Sequence, residues 1–99
     1  MNLELNQVYS FKLNSGEELI AKAIKLTDTY IEISEPVSVA PGQKGLGLVP
    51  SLFTTDSQSK YRLNTNSIAL VAETNEQVKF KYIEATTGIQ VPEKSIVLG

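Results

Sequence analysis

The chain has 99 residues, 41% of them hydrophobic, and carries a formal net charge of −2 at pH 7. This length is enough for one hydrophobic core, so we expect residues 1–99 to form a single domain. Cysteine and histidine are both absent, which excludes disulfides and the usual metal sites and nucleophile–base pairs, and indicates a binding protein without cofactors rather than an enzyme.

Alternating side chains predict three or four antiparallel strands in the N-terminal part of the chain. Residues 8–13 alternate between two faces and end at a turn in which Gly16 can adopt a positive φ without steric cost. Residues 19–26 are predicted to form the next strand, because a tight turn precedes them and β-branched residues follow. Residues 30–34 alternate again, and Pro36, which has no N–H to donate, is expected to interrupt the ladder before the strand resumes.

The middle of the chain is expected to consist mainly of loops. Residues 41–47 contain a proline, three glycines and a lysine, and residues 54–59 are polar. Such compositions are typical of exposed loops. Residues 46–53 are largely apolar but include a glycine and a proline, so any strand there is predicted to be broken or to lie at an edge.

The C-terminal part of the chain is predicted to contain three more strands. Residues 60–63 and 67–72 are expected to pair with each other across the connection at residues 64–66. Residues 77–82 alternate between charged or amide and apolar side chains, which predicts a further strand. Residues 86–99 contain two short apolar clusters and are left unassigned, as an extra strand or a tail.

One predicted strand has apolar residues on both of its faces. It is therefore expected to be covered on both sides or buried against another subunit. The residues of this candidate oligomer interface are Ile68, Ala69, Leu70 and Val71. The core of the domain is expected to include Phe11, Ile24, Ile31, Ile33 and Leu70.

The expected fold class is all-β. Short strands separated by frequent turns predict a small barrel or sandwich. Either fold must protect its open strand edges, and pairing those edges between identical subunits builds a ring when the rotation closes.

The N-terminal residues and the short apolar runs predict a cytoplasmic protein without a membrane partner. Residues 1–11 are acidic and amide-rich where a signal peptide would need a basic start and a long apolar stretch. The longest apolar run, residues 68–72, is far shorter than a membrane span.

These segments resemble the Sm/LSm family. The first Sm motif is similar to residues 13–16 (LNSG), 19–26 and 28–33 (DTYIEI), and the second is similar to residues 63–71 (LNTNSIALV). The whole chain also resembles the short Sm-like proteins of marine phage (cyanophage-like) and marine environmental sequences. The resemblance implies a strongly bent barrel of about five antiparallel strands with an extra C-terminal strand or tail. It also implies that the protein acts in the cytoplasm of a bacterial host.

The resemblance also implies a nucleic-acid-binding site. Asp28 corresponds to the Asp of the first motif and Tyr30 to its base-stacking residue, whereas Glu32 replaces the base-contacting Asn. Asn64 stands where the second motif has Arg, and Arg62 lies two residues earlier. The implied binding residues are Tyr30, Glu32, Arg62 and Asn64.

Two functions remain open from the sequence. The first is a non-catalytic Sm-like ring of roughly five to seven subunits that binds single-stranded nucleic acid, with RNA favoured over DNA. The second is a phage structural or adaptor protein that assembles by edge-strand pairing and contacts protein through residues 46–53. The pI of about 5.1 argues against binding duplex DNA by charge alone, but not against gripping unstacked bases.

Overall fold

The structure, a computed structural model, describes residues 2–42, 45–56 and 59–87. Within these residues, strands make up most of the regular structure and one helix follows them. The elements in chain order are β1 (Gln7–Leu13), β2 (Glu18–Leu26), β3 (Tyr30–Gly42), β4 (Gly45–Pro50), β5 (Lys60–Asn64), a 3-10 turn (Thr65–Ser67), β6 (Ile68–Glu73) and α1 (Glu76–Thr87).

The strands form a single antiparallel sheet in the order β4-β3-β2-β1-β6, and β5 pairs with β3 beside β4. This arrangement confirms the expected small, mostly β fold and the meander of the first three strands. The turn before β2 contains Gly16 at a φ of 97°, as expected. Within the described residues the sheet is open, with β4 and β5 on one side and β6 on the other.

A bulge divides β3 into two halves. Ser34 pairs with Lys22 and Val37 pairs with Ile20, so two residues of β3 oppose one residue of β2. Glu35 occupies this bulge with a positive φ of 52°, a conformation that local context must stabilise in a residue other than glycine. Pro36 therefore lies in a bulge within a continuous strand, and the expected interruption of the ladder is limited to that point. The half before the bulge pairs with β5 and the half after it with β4.

The two faces of the sheet carry separate hydrophobic clusters. Phe11, Ile31 and Ile33 are buried in the larger cluster, which confirms their predicted place in the core. On the opposite face, Tyr82 of α1 packs against β-strand residues and Val78 lies beside it. The larger cluster contains Tyr9, Phe11, Leu19, Ala21, Ala23, Ile31 and Ile33, and the smaller contains Val8, Ile20, Val37, Leu48 and Tyr82.

Two of the residues predicted to be in the core are not buried. Leu70 is 68% exposed and Ile24 is half-buried. Leu70 lies on β6, an edge strand that pairs only with β1 among the described residues, so the chain itself covers only one side of that strand. The prediction of a buried Leu70 is therefore wrong for the single chain.

The segment predicted as a strand at residues 77–82 is part of helix α1. The Asn75 side-chain Oδ1 accepts a hydrogen bond from the Val78 N–H at 2.9 Å, which caps the first turn. Val78 and Tyr82 then lie one helical turn apart and face the smaller cluster, while Phe80 points outward. The period-two pattern was misleading because Val78 and Tyr82 also satisfy the four-residue helical spacing. Of the unassigned residues 86–99, the first two end this helix and the rest lie outside the described residues.

The predicted pairing between residues 60–63 and 67–72 is also wrong. β5 pairs with β3, whereas β6 pairs with β1. Asn64 has a φ of −66° rather than the positive φ that tight hairpin turns require, and a 3-10 turn redirects the chain. Strands β5 and β6 thereby contribute Leu63 and Ile68 to the same hydrophobic cluster from two sides of the sheet.

The predicted loop at residues 41–47 is shorter than expected. β3 continues to Gly42, which pairs with Gly45 at the start of β4, and residues 43–44 lie outside the described part of the chain. Residues 46–53 were predicted to contain at most an edge strand, and β4 at the border of the sheet confirms this. The described residues of the predicted loop at 54–59 are in neither helix nor strand.

Candidate nucleic-acid interface

The four binding residues implied by the sequence lie together on one face of strands β3 and β5. Tyr30 pairs with Asn64, and Glu32 pairs with Arg62 in the adjacent position. Ile31 lies between them and is fully buried. Because successive side chains of a strand point to opposite faces, the four predicted binding residues point away from the larger cluster. We call this surface the β3–β5 outer face, and its residues are Tyr30, Glu32, Ser34, Lys60, Arg62 and Asn64.

The Arg62 guanidinium lies over the ring of Tyr30. Its central carbon is 4.8 Å from the ring centroid, within the range of a cation–π contact, which contributes about 0.5–1 kcal/mol at an exposed site. Tyr30 is half-buried and Arg62 is exposed. The tyrosine ring is thus already covered by a cation on one side, and the more accessible of the two planar groups is the guanidinium.

Two turns meet beside Tyr30 and Asn64 and hold them in place. The Tyr30 N–H donates to the Thr27 Oγ1 at 3.0 Å, and that hydroxyl donates to the Tyr30 carbonyl at 2.9 Å. The Thr65 N–H donates to the Thr29 carbonyl at 3.0 Å. These bonds connect the turn before β3 to the turn after β5, so the two motif regions form one end of the outer face.

Asp28 is exposed in this cluster of turns. Its carbonyl accepts a hydrogen bond from the Thr65 Oγ1 at 3.3 Å, so its main chain links the two motif regions. Asp28 therefore lies at the border of the outer face, two residues before Tyr30 in sequence.

Three lysines near the site were missed in the sequence analysis. Lys25 pairs with Glu32 across β2 and β3, Lys22 pairs with Ser34, and Ser34 also pairs with Lys60. Each of these lysines therefore joins a cross-strand row with residues of the outer face. Only the register reveals this, because Lys22 and Lys60 are far apart in sequence and nothing local relates them.

The residues predicted as an oligomer interface lie on the opposite side of the sheet, on β6. Ile68 and Val71 are half-buried against the larger cluster, whereas Ala69 and Leu70 are exposed. Leu46 on the edge strand β4 is also exposed. Both lateral sides of the sheet thus carry an open strand with an exposed leucine.

An apolar surface surrounds the end of β4 and helix α1. Phe53 is 80% exposed and Phe80 is 61% exposed. Leu52 and Phe53 line a groove of about 470 Å³ together with Pro36 and Ala85. We call it the Phe53 groove, and it includes the C-terminal part of the segment 46–53 that the adaptor interpretation assigns to a protein partner.

Tyr82 connects α1 to β3 next to the outer face. Its hydroxyl donates to the Ser34 carbonyl at 3.2 Å. Burial raises the pKa of the Tyr82 hydroxyl well above its usual range, the Glu35 carboxylate raises it further, and a hydrogen bond from the Lys22 backbone partly opposes the shift. The hydroxyl therefore stays neutral and acts as a structural donor.

Metal-binding clusters and membrane-spanning helices are both absent from the described residues. Residues 2–42, 45–56 and 59–87 contain no cluster of three or more carboxylates that could hold a metal ion. The same residues include no helix long and apolar enough to cross a membrane. Neither a protein-family model nor a curated protein sequence matches the chain.

Proposed function

We propose that the protein is a non-catalytic, Sm-like single-stranded nucleic-acid-binding protein, with RNA favoured over DNA, and that the β3–β5 outer face contacts the bases. The observation that carries this proposal is the register of two adjacent cross-strand pairs, Tyr30 with Asn64 and Glu32 with Arg62. Residues from two separate motifs meet there, and they supply an aromatic ring, a cation, an acceptor and an amide. Proteins that hold unstacked bases use this combination of groups.

Arg62 is the proposed stacking platform, with Tyr30 as its support. The guanidinium already covers the Tyr30 ring, so a base approaching from solvent meets Arg62 first. Bases stack on arginine planes as well as on aromatic rings, and each stacked base contributes about 1–3 kcal/mol. Tyr30 then holds the guanidinium in place and completes a stack of ring, cation and base.

Glu32 is the proposed specificity residue. It is half-buried and lies directly opposite Arg62, so its carboxylate is next to the stacked base. An ionised carboxylate only accepts hydrogen bonds, and it therefore suits the amino group of cytosine or the N–H donors of guanine rather than the O4 acceptor of uracil. The site should prefer cytosine or guanine over uracil by about 1–3 kcal/mol.

The proposed assembly is a homo-oligomeric ring of roughly five to seven subunits. Its support is the pair of open edges, β6 with the exposed Leu70 and β4 with the exposed Leu46. Pairing one edge with the other in a head-to-tail manner would satisfy unpaired backbone groups and bury both leucines. The proposed setting is the cytoplasm, that of a bacterial host if the likeness to phage proteins reflects origin.

Titration of labelled C, G, A and U oligomers at fixed salt tests the base-contacting site. We expect the native protein to bind C or G most tightly. Arg62→Ala and Tyr30→Ala should weaken binding to all four oligomers by about 1–3 kcal/mol, whereas Glu32→Asn should move the preference toward U. Lys12→Ala, which removes an exposed charge from β1, is the matched control. A native preference for U, or unchanged affinity in the Tyr30 and Arg62 variants, would contradict the proposed site.

A second candidate function is a structural or adaptor protein that binds protein instead of nucleic acid. The observation that favours it is the Phe53 groove, beside which Phe53 is 80% exposed. Large exposed aromatic side chains next to a groove are typical of protein contact surfaces. This function predicts no measurable binding of any of the four oligomers, so the same titration separates the two candidates.

A further inference from the structure

We infer that Lys22, Lys25, Lys60 and Arg62 form a phosphate track across β2, β3 and β5. This inference rests on the proposed function. It adds that the ligand is an extended, unstacked strand whose backbone runs along β3 between the cations of β2 and those of β5, while one base stacks at Tyr30.

The register places the cations in two parallel rows. One row contains Lys25, Glu32 and Arg62, and the next contains Ser34 between two lysines. Lys25 and the outer-face residues Lys60 and Arg62 are exposed, and Lys22 is half-buried, so all four ammonium or guanidinium groups can reach solvent through long flexible stems. A further pair, Tyr30 with Asn64, lies beyond the first row.

The charge of this surface is opposite to that of the rest of the chain. The two rows contain four of the nine cations of the chain and one of its eleven carboxylates. The rest of the chain contains five cations and ten carboxylates, so it is acidic. An acidic protein that concentrates cations on one face is arranged to bind an anionic ligand at that face and to repel it elsewhere.

Carboxylates limit the track at both ends. Asp28 lies in the turn beyond Tyr30, and Glu35 lies in the bulge that ends this half of β3. Both would repel phosphate. The backbone of the ligand is therefore confined to the two cationic rows, between the turn and the bulge.

The spacing of the rows selects an extended strand. Rows two residues apart along a β-strand are separated by about 6.7 Å. A stacked nucleic-acid strand advances only about 3.4 Å per nucleotide, so successive phosphates reach successive rows only when the strand is unstacked. The geometry therefore predicts that single strands bind in preference to duplexes, with a footprint of about three nucleotides per chain, one for each row and one for the base at Tyr30.

The salt dependence of binding tests the track. For single strands, each phosphate neutralised contributes about 0.7 to the slope of log affinity against log salt concentration. Two rows that neutralise one phosphate each predict about a sevenfold loss of affinity to oligo-C between about 50 and about 200 mM salt. The variant Lys22→Ala with Lys60→Ala removes the second row and should retain only about a threefold loss over the same range, because one phosphate contact remains. Lys60 is exposed and Lys22 is half-buried, and thermal denaturation checks that the variant folds.

The matched control is Lys12→Ala with Lys81→Ala, which removes the same charge from exposed positions on β1 and α1. This control should keep the native slope. Equal slope changes in the two double variants would overturn the track, because they would show a general effect of charge. A duplex that binds as tightly as the single strand would overturn the extended geometry.

The outcomes also separate the track from the proposed function. If Tyr30→Ala weakens binding while Lys22→Ala with Lys60→Ala leaves the slope unchanged, the track is wrong and the base-contacting site stands. If the native protein binds no oligomer at low salt, the track and the proposed function both fail.

Discussion

The two halves of β3 present different surfaces to solvent. Residues 30–34 pair with β5 and carry the outer face with its stacked tyrosine and arginine. After the bulge at Glu35, the strand pairs with β4 and adjoins α1 and the exposed Phe53. One additional residue in a strand changes the side to which every following side chain points. A single bulge thus lets one strand contribute to a cationic, polar surface and to an apolar one.

The two surfaces differ in how they could hold a ligand. Binding at the cationic half would depend on salt and on the planar groups of Tyr30 and Arg62. Binding at the apolar half would depend on the area that Phe53 and Phe80 lose to solvent, and would change little with salt. Variants that damage one half and leave the other intact therefore test whether the halves are independent.

The largest effect on the free energy of unfolding is expected for Ile33→Ala, beneath the cationic half of β3. Ile33 is 3% exposed in the larger cluster, and truncation should lower the free energy of unfolding by about 2–5 kcal/mol through lost burial and a residual cavity. Urea denaturation measures the change. Leu5→Ala is the control, because Leu5 is 48% exposed and lies on neither of the two proposed subunit edges, so its truncation should cost less than about 0.5 kcal/mol. Similar losses in both variants would contradict the burial of Ile33 in the larger cluster.

An intermediate effect is expected at the junction between the halves, where Tyr82 bonds to Ser34. An unfolded tyrosine titrates near 10.0, whereas folding raises the pKa of Tyr82 well above that value. Below a pH of about 10.0, Tyr82 is protonated in both the folded and the unfolded state, and its contribution to the free energy of unfolding is fully present. As the pH rises above 10.0, the unfolded state loses its proton first, so stability should fall by up to about 1.4 kcal/mol per pH unit.

Denaturation of the native protein and of Tyr82→Phe across the alkaline range checks this slope. The variant lacks the hydroxyl, so it should lose less stability per pH unit, while all other titrating groups remain the same. At neutral pH it should be about 0.5–1.5 kcal/mol less stable, because the bond to the Ser34 carbonyl is lost. Identical alkaline slopes in the two proteins would contradict a neutral, buried Tyr82.

The smallest effect on stability is expected for Phe53→Ser in the apolar half. Phe53 is 80% exposed, so the free energy of unfolding should change by less than about 0.5 kcal/mol, as measured by thermal denaturation. Affinity for oligonucleotides should stay the same, in contrast to Tyr30→Ala. If Phe53→Ser weakens oligonucleotide binding as strongly as Tyr30→Ala does, the two halves do not act independently.

Local sequence patterns were sufficient for much of the N-terminal half of the fold. Alternation placed β1, β2 and the first half of β3, and it correctly buried Phe11, Ile31 and Ile33. Tyr30 and Glu32 could be assigned to one face because they are two residues apart on a strand. These predictions succeeded because both the pattern and the structure that it specifies are local.

Predictions that depended on distant partners were less successful. Residues 77–82 satisfy the strand period and the helix period equally well at Val78 and Tyr82, and the Asn75 cap together with packing on the smaller cluster selects the helix. Strands β5 and β6 could have paired with each other, but pairing with β3 and β1 lets both cover the larger cluster. Which secondary structure forms and which strands pair depend on the apolar area that the whole domain buries. A short stretch of sequence does not contain that information.

The sequence by itself determined the fold class and the kind of groups available. Its alternating segments specify a small β domain, and it contains neither cysteine nor histidine. Only the tertiary structure decided that Arg62 covers Tyr30 and that Lys22, Lys25 and Lys60 align with them. The physical reason is that alternation defines the two faces of each strand, whereas the register that brings faces of different strands together is set by packing across the whole sheet.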